Sequence, residues 1–428
     1  MKVPVDLLVV HADQLITVQG PNDAPRTGGA LGELGLIRNG AVAAADGVIV
    51  SVGPSEQVMD ETTLASGGMQ VDARGRVVLP GFVDAHTHLI HAGNRIDEFE
   101  QRLNGATYQE IAARGGGIVS TMRATRAATE DELVALGRAR LDRMLRLGTT
   151  TIEAKSGYGL TTEDELKCLR AAHRLGASHE VDVVPTFLGA HVVPPEFSRD
   201  PDGYVTRVIE EMLPAVADED LAEFCDVFCD AGAFTVEQSR AVLEAGSELG
   251  LSPKIHADEL SDLGGALLAA EVGATSAEHL EFAAETGLRA MAEAGTIAVL
   301  LPTTALFLGL PYARARLMVD LGVPVALATD FNPGTSPTYA MPMTVALACV
   351  VMRLRPSEAV AAATINAAHA IGMAEEVGSL EPGKAADLLV LDVPDFRGLA
   401  MQFGTNPVTA VVKRGRLVWQ TQPLEAAT

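Results

Sequence analysis

The sequence predicts an α/β protein, in which a (β/α)8 barrel carries a small discontinuous β-sandwich domain formed by the two chain ends. Three observations lead to this fold class. Apolar runs alternate with helical segments over roughly 290 residues of the chain. Both ends are rich in short β-prone runs. Polar residues gather where the apolar runs stop. The expected division is 1–79 and 374–428 for the sandwich and 80–373 for the barrel.

The N-terminal segment has the pattern of a small β module. Its β-prone runs are Leu7–Val10, Gly47–Val52 and Arg76–Leu79. A Gly/Pro-rich stretch from Gly20 to Gly35 is predicted as a loop, and no helical period appears. The β character returns near the C-terminus in Leu388–Leu391 and Val411–Val418. We therefore expect the two ends to pair with each other beside the barrel.

The middle of the chain supplies eight strand-like runs. They are Val77–His88, Thr149–Lys155, Val181–His191, Phe224–Asp230, Ser252–Asp258, Thr275–His279, Thr296–Pro302 and Pro324–Asp330. The clearest helices between them are Glu130–Leu147, Thr162–Leu175, Val236–Leu249 and Leu263–Ala270. This alternation favours a closed barrel over the alternative, a doubly wound open sheet, because no Gly-x-Gly-x-x-Gly follows the first strand.

Histidines and carboxylates cluster at the ends of these runs, where a parallel barrel builds its active site. The residues at these ends are His86, His88, His191, His256, Asp258, Glu259, His279 and Asp330. The histidines that look scattered are His11, His173, His179 and His369. Chance placement would scatter all of them, so the clustering indicates a functional site.

Four of these residues have the donor atoms of a metal site. His86 and His88 lie two apart on a strand and therefore point to the same face. With His256 and Asp330 they supply three nitrogens and a carboxylate, which suit Zn²⁺ or Fe²⁺. Such a metal would lower the pKa of its water toward ~7, and His279 would orient or deprotonate that water. The alternative for His279 is an ordinary histidine at the barrel rim.

One metal ion is expected rather than two. Two-metal barrels of this kind usually carry a bridging lysine carbamate on the fourth strand, and Phe224–Asp230 contains no lysine. Cys225 and Cys229 share a face of this strand and are interpreted as core packing.

The composition excludes several classes of partner. The formal net charge of −24 would repel a phosphate backbone, so nucleic acid is not expected as a partner. The cysteines show no Cys-x-x-Cys spacing, which fits reduced thiols in a cytoplasm. There is no signal-peptide core and no apolar run of membrane-spanning length. We expect a soluble intracellular protein.

Longer motifs carry a family resemblance over essentially the whole chain. Pro80–His88 and Gly378–Leu388 occur in many cyclic-amide hydrolases and deaminases. More specific segments are Ala92–Arg95, Gly105–Tyr108, Gly115–Arg126, Lys155–Leu160, Phe187–His191, His256–Leu260 and Asp330–Pro337. By these segments the chain resembles the imidazolonepropionase family of the amidohydrolase superfamily.

The resemblance implies a function and a site. The reaction would be hydrolysis of the lactam C–N bond of 4-imidazolone-5-propanoate to N-formimidoyl-L-glutamate, the third step of histidine degradation. The metal would be one Zn²⁺ or Fe²⁺/Fe³⁺ ion per chain, and the protein a homodimer. The catalytic residues would be His279, Glu259 and Asp330. The substrate-binding residues would be Arg95, Tyr158, His191 and Glu259, with Asn332, Gly334 and Thr335 near the product and Tyr108 as a further candidate.

The residue types agree with this role. Arg95 follows His88 by seven residues, and a guanidinium can bind the propanoate bidentately. Tyr158 lies on a glycine-flanked turn that lets its phenol approach a ligand. Glu259 would hold a ring N–H and pass a proton to the departing nitrogen; its alternative is a solvated loop carboxylate. Backbone N–H groups around Gly334 would suit a carboxylate.

Two other functions stay open at this point. One is a related mononuclear amidohydrolase or deaminase acting on another cyclic amide or a nucleobase, which would not need Arg95 as a carboxylate clamp. The other is a non-catalytic scaffold that has lost its metal. A scaffold of this kind predicts eroded ligands, whereas the full set is present here.

Overall fold

A computed structural model describes residues 2–21, 23–106, 110 and 115–421. The strands are β1 Val3–Ile16, β2 Leu36–Ala45, β3 Val48–Pro54, β4 Thr62–Asp72, β5 Val77–Pro80, β6 Phe82–Asp84, β7 Thr149–Lys155, β8 Asp182–Ala190, β9 Phe224–Cys229, β10 Ser252–Ala257, β11 Ser276–His279, β12 Ile297–Leu300, β13 Val325–Leu327, β14 Leu388–Leu391, β15 Val408–Lys413 and β16 Arg416–Gln420. They form two eight-stranded sheets.

Helices connect the strands and cover the barrel. Those of the described residues are Ser55–Glu61, Ile96–Leu103, Ile118–Ala127, Glu130–Arg146, Thr162–Gly176, Pro201–Arg207, Leu213–Asp218, Val236–Glu248, Gly265–Glu271, Glu285–Ala294, Pro302–Leu308, Ala315–Leu321, Met341–Val350, Pro356–Ala362, Ile365–Ala370 and Gly398–Met401. Short 3-10 turns span Gly28–Gly32 and Pro195–Phe197, and a π segment spans Val208–Met212. No helix in the described part of the chain is both long enough and apolar enough to cross a membrane.

The parallel sheet runs from β6 to β13 in chain order, with helices between its strands, and confirms the predicted (β/α)8 barrel. The expectation that Val77–His88 is one strand is wrong. It forms β5 in one sheet and β6 in the other, and the chain passes between them at Gly81. A Cβ on Gly81 would lie 2.1 Å from Thr150 Oγ1, so the close approach at this crossing requires glycine.

The barrel closes between its first and last strands through a side chain. Asp84 Oδ1 accepts a hydrogen bond from Thr329 N at 2.9 Å, and Asp84 Oδ2 accepts one from Thr329 Oγ1 at 2.6 Å. Both residues are fully buried. Burial raises the pKa of the Asp84 carboxyl to about 7, although the two hydrogen bonds oppose that rise. Asp84 therefore joins strands that are distant in sequence.

Backbone hydrogen bonds extend this closure beyond the strand ends. Asp330 N donates to His86 O at 3.1 Å, and His88 N donates to Phe331 O at 2.8 Å. The two segments that carry predicted metal ligands are therefore held side by side by the closure of the barrel.

The second sheet unites the two chain ends, as predicted. Its strand order is β16-β15-β14-β5-β1-β2-β3, and β4 pairs with β1. Apolar side chains from both ends meet in one cluster, which includes Val9, Val42, Val78, Leu388 and Val412. Leu79, Leu389 and Val411 belong instead to the larger cluster that also contains the barrel core. The sheet is thus packed against the barrel. The domain limits at residues 79 and 373 remain a proposal.

The predicted absence of helix from the N-terminal segment is wrong. Ser55–Glu61 forms a helix, and Thr62 Oγ1 donates to Val58 O at 2.7 Å at its C-terminal end. Seven residues are too few to show a helical period in the sequence, which explains the error. The predicted loop from Gly20 to Gly35 contains the 3-10 turn Gly28–Gly32.

We predict that Thr329→Val lowers the stability of the metal-free protein. The substitution removes a buried donor to Asp84, which costs about 1–3 kcal/mol. The measurement is the thermal unfolding midpoint in chelator, so that metal affinity does not contribute. Thr63→Val, at an exposed threonine of β4, is the control. Equal midpoints for the two variants would contradict the closure role of Thr329.

Candidate active site and metal centre

A cavity of about 420 Å³ brings most of the predicted site residues together. Those that line it are His88, Arg95, Tyr158, His191, His256, Glu259, His279, Asp330, Asn332 and Thr335. His86 is fully buried next to this set. Gly334 lines a neighbouring cavity of about 350 Å³, which shares Arg95 and Asn332 with the first. Tyr108 lies outside the described residues.

Side chains from three parts of the barrel converge on one point. Asp330 Oδ1 lies 3.4 Å from His86 Nε2 and 3.4 Å from His88 Nε2. His256 Nε2 lies 3.4 Å from His88 Nε2. Ligand atoms of His86, His88 and Asp330 all fall within 4.8 Å of one another, as do those of His86, His256 and His279. This spacing is suitable for donors that surround one ion.

The hydrogen-bond pattern of the cluster fits a bound cation. Asp330 Oδ2 accepts a hydrogen bond from Thr304 Oγ1 at 2.6 Å. Asp330 Oδ1 and both ring nitrogens of His86 are buried without a hydrogen-bond partner among the described residues. Unpaired buried polar atoms are costly. A cation next to Asp330 Oδ1 and His86 Nε2 would satisfy these two atoms, whereas His86 Nδ1 faces Glu278. Three imidazoles and a carboxylate match Zn²⁺ or Fe²⁺, so the donor set fits a divalent metal.

Protonation states in the cluster also suit metal binding. Burial lowers the pKa of the His256 imidazole well below its ordinary value, so this ring is neutral and keeps a lone pair. Burial opposes ionisation of Asp330, but the His86 and His88 imidazoles, each 3.4 Å from its Oδ1, hold its pKa well below the usual range. Asp330 is therefore a carboxylate.

Carboxylates on the far side of two histidine rings fix their orientation. His256 Nδ1 donates to Asp226, whose Oδ2 is 3.0 Å away. His86 Nδ1 lies 3.5 Å from Glu278 Oε2. Both contacts turn Nε2 of the ring toward the metal position, a common support for metal-binding histidines. Asp226 and Glu278 were not predicted as site residues.

A fully buried charge network lies behind these carboxylates. Lys155 Nζ lies 2.7 Å from Asp226 Oδ2 and 2.9 Å from Glu153 Oε2. Lys254 Nζ lies 2.7 Å from Glu153 Oε1 and 3.5 Å from Glu278 Oε1. Burial lowers the pKa of Lys155, but Asp226 and Glu153 more than offset this, so it stays protonated. The sequence analysis missed this network, although charged residues within apolar strands were a visible signal.

His279 lies between two buried glutamates. Its Nε2 is 3.8 Å from Glu259 Oε2 and its Nδ1 is 3.8 Å from Glu281 Oε2. Burial lowers the pKa of His279, but the two carboxylates raise it to about 9. Burial raises the pKa of Glu259, and raises that of Glu281 to about 8. The φ of His279 is +73°, a strained conformation typical of functional sites. Glu281 was not predicted.

The aromatic wall of the cavity comes from two neighbouring strands. The His191 ring stacks on that of His88 at 5.2 Å, and the Tyr158 ring lies 5.3 Å from that of His191. His191 Nδ1 donates to Gly157 O at 2.9 Å, so Nε2 is the acceptor. Burial lowers the pKa of His191 to about 3, which keeps the ring neutral.

The loop after β13 is held by its own asparagine. Asn332 Oδ1 accepts hydrogen bonds from Gly334 N at 2.8 Å and Thr335 N at 2.7 Å. In this arrangement both N–H groups already have an acceptor, so a carboxylate would have to replace Asn332 Oδ1 there; that they bind a carboxylate stays a prediction.

The chain is similar in sequence to a known family and to several named proteins. The amidohydrolase family model matches residues 77–418. A protein of Symbiobacterium thermophilum named imidazolonepropionase is 56% identical over 417 residues, which cover 97% of each chain. The protein of that name from Geobacillus kaustophilus is 53% identical over 414 residues, covering 96% of this chain and 97% of the relative.

Solved structures support the fold. A zinc-bound adenosine deaminase from Xanthomonas campestris has a TM-score of 0.72 at 18% identity, covering 100% of this chain and 96% of that one. Escherichia coli guanine deaminase has a TM-score of 0.68 at 17% identity, covering 97% of this chain and 99% of that one. At such identities the likeness concerns the fold alone. The family match and the close relatives establish that this chain belongs to the amidohydrolase family, in the group whose curated members are named imidazolonepropionase.

Proposed function

We propose that the protein hydrolyses the lactam C–N bond of 4-imidazolone-5-propanoate to N-formimidoyl-L-glutamate, the third step of histidine degradation. The observation that carries this proposal is one cavity that brings His88, His256 and Asp330, with His86 buried beside them, together with the buried guanidinium of Arg95. Relatives with the corresponding name, about half identical over nearly the full chain, support the choice of substrate.

One divalent cation, zinc or iron, would be held by His86, His88, His256 and Asp330. When bound, such an ion lowers the pKa of a water molecule and polarises a carbonyl group. The buried ammonium of Lys155 lies among Asp226, Glu153 and Glu278, where a further cation would otherwise find acidic ligands. This arrangement supports the proposal of a single metal ion.

The protein's own groups would handle protons and position the ring. Water adds to the ring carbonyl carbon and the C–N bond breaks, so the departing nitrogen must gain a proton. Glu259 and His279 are 3.8 Å apart and both line the cavity. We assign proton transfer from water to this pair and delivery to the ring nitrogen to Glu259. Tyr158 and the neutral His191 would hold the ring.

The charge of the cavity favours an anionic substrate over a neutral nucleobase. Arg95 is only 8% exposed, and within the described ranges no carboxylate lies within ion-pair distance of it. A buried cation without a counter-ion is costly, and the propanoate of the substrate would neutralise it. A deaminase acting on a neutral ring would gain nothing from this arginine.

The proposal also includes a homodimer in the cytoplasm that does not bind nucleic acid. The net charge of −24 disfavours phosphate backbones. The cytoplasm is inferred from the cysteine pattern, and the dimer from the family resemblance alone. Light scattering after gel filtration would test the dimer, since a monomeric mass contradicts it.

The first prediction of this proposal concerns turnover and metal. Purified protein should convert freshly generated imidazolonepropanoate to formimidoylglutamate, and chelation should abolish this until zinc or iron is restored. His256→Ala should remove the activity and most of the bound metal, which is measured on the same sample. About one metal ion per chain without turnover of this substrate would contradict the substrate assignment and favour another cyclic amide. A folded protein with neither metal nor activity after metal addition would support the scaffold alternative.

The second prediction concerns proton transfer by Glu259. Glu259→Gln should lower kcat on the order of 10²–10⁴-fold, because an amide cannot shuttle the proton. Metal content should stay at the wild-type level, since Glu259 is not in the donor set. Glu237→Gln, an exposed residue of the helix Val236–Glu248, is the matched control. A kcat within about threefold of wild type for Glu259→Gln would exclude this role.

A further inference from the structure

The guanidinium of Arg95 is fixed by a residue outside the predicted site. Arg95 Nε donates a hydrogen bond to Thr121 Oγ1 at 2.9 Å. Thr121 is 2% exposed and lies on the helix Ile118–Ala127. Arg95 Nη2 is buried and finds no hydrogen-bond partner among the described residues. One edge of the guanidinium is therefore anchored, while Nη2 is left without an acceptor among the described residues.

The same helix docks the preceding loop through a second threonine. Thr125 Oγ1 accepts a hydrogen bond from Ala92 N at 3.0 Å, one helical turn after Thr121. Thr125 therefore holds the backbone of the loop that carries Arg95, whereas Thr121 holds the side chain of Arg95. Docking of the loop and orientation of the guanidinium can therefore be changed separately, by substitution of one threonine or the other.

A glycine provides the space on the other side of the guanidinium. A Cβ on Gly334 would lie 2.1 Å from Arg95 Nη1 and 2.8 Å from Arg95 Cζ. Any side chain at position 334 would thus push the guanidinium away from its present place. Arg95 is held between the Thr121 hydroxyl and a backbone segment without a side chain.

We propose that Thr121 is a positioning residue that directs the guanidinium of Arg95 toward the carboxylate of the substrate, with Gly334 leaving the room for it. An arginine side chain loses rotamer entropy on binding, and an anchored Nε removes part of that loss before the substrate arrives. Thr121 would thereby set the preference for anionic over uncharged imidazolones. This inference depends on the proposed function.

The test compares Thr121→Val with Thr121→Ser on two substrates. Valine has the shape of threonine without the hydroxyl, whereas serine retains the acceptor. With imidazolonepropanoate, Thr121→Val should raise KM on the order of tenfold and leave kcat within about twofold, since a uniform binding contact is lost. Thr121→Ser should restore the wild-type KM. With an imidazolone that carries an alkyl chain without a carboxylate, Thr121→Val and wild type should show equal kcat/KM.

Two further variants separate orientation from folding. Thr125→Val should lower the thermal unfolding midpoint but change KM for the propanoate less than Thr121→Val does. Gly334→Ala should raise KM for the propanoate while kcat/KM for the carboxylate-free substrate is unaffected.

Equal KM changes in Thr121→Val and Thr125→Val would overturn the inference, as would an unchanged KM in Thr121→Val with an active wild type. A wild-type protein that binds metal but leaves the propanoate untouched would instead refute the proposed function.

Discussion

The closure of the barrel between β6 and β13 is the constraint on which the site depends. His86 and His88 follow the first barrel strand, and Asp330 follows the last, so the ligands are separated by more than half of the chain. Only closure makes them neighbours, through Asp84 and the backbone bonds beside it. An open sheet would leave these ends at opposite edges. The candidate donor set therefore depends on the fold class as well as on the local spacing of His86 and His88.

The barrel interior contributes charge as well as apolar packing. Glu153, Lys155, Asp226, Lys254 and Glu278 are all fully buried, an arrangement that costs desolvation energy unless every member is paired. The pairing is dense, and two of its carboxylates also contact the Nδ1 atoms of His86 and His256. Moving either ring would leave a buried carboxylate without its contact. The network thus restricts the imidazoles to orientations in which Nε2 faces the metal position.

The parts of the structure with a regular sequence pattern could be predicted from the sequence. The eight runs predicted the barrel because strand and helix patterns alternate, and the strand ends supplied the candidate donor residues. Residues that act through tertiary contacts could not be predicted from the sequence. Lys254 and Glu278 resemble isolated charges within strands, and Thr121 is an ordinary helical threonine until the fold brings it to Arg95. The split of Val77–His88 was missed because both halves are apolar, so only the pairing partners reveal that they belong to different sheets.

The site contains two buried polar groups that need partners of opposite charge. Asp330 Oδ1 and His86 Nε2 are buried electron-pair donors without a hydrogen-bond partner among the described residues, and Arg95 Nη2 is a buried cationic group without an acceptor there. Thr304 holds the other oxygen of Asp330, and Thr121 holds Nε of Arg95. In the proposed function, a metal ion would complete the first group and the substrate carboxylate would complete the second. Since Asp330 and Arg95 line one cavity, a substrate that joins a carboxylate to a ring carbonyl would reach both at once, and binding would remove the cost of burying them.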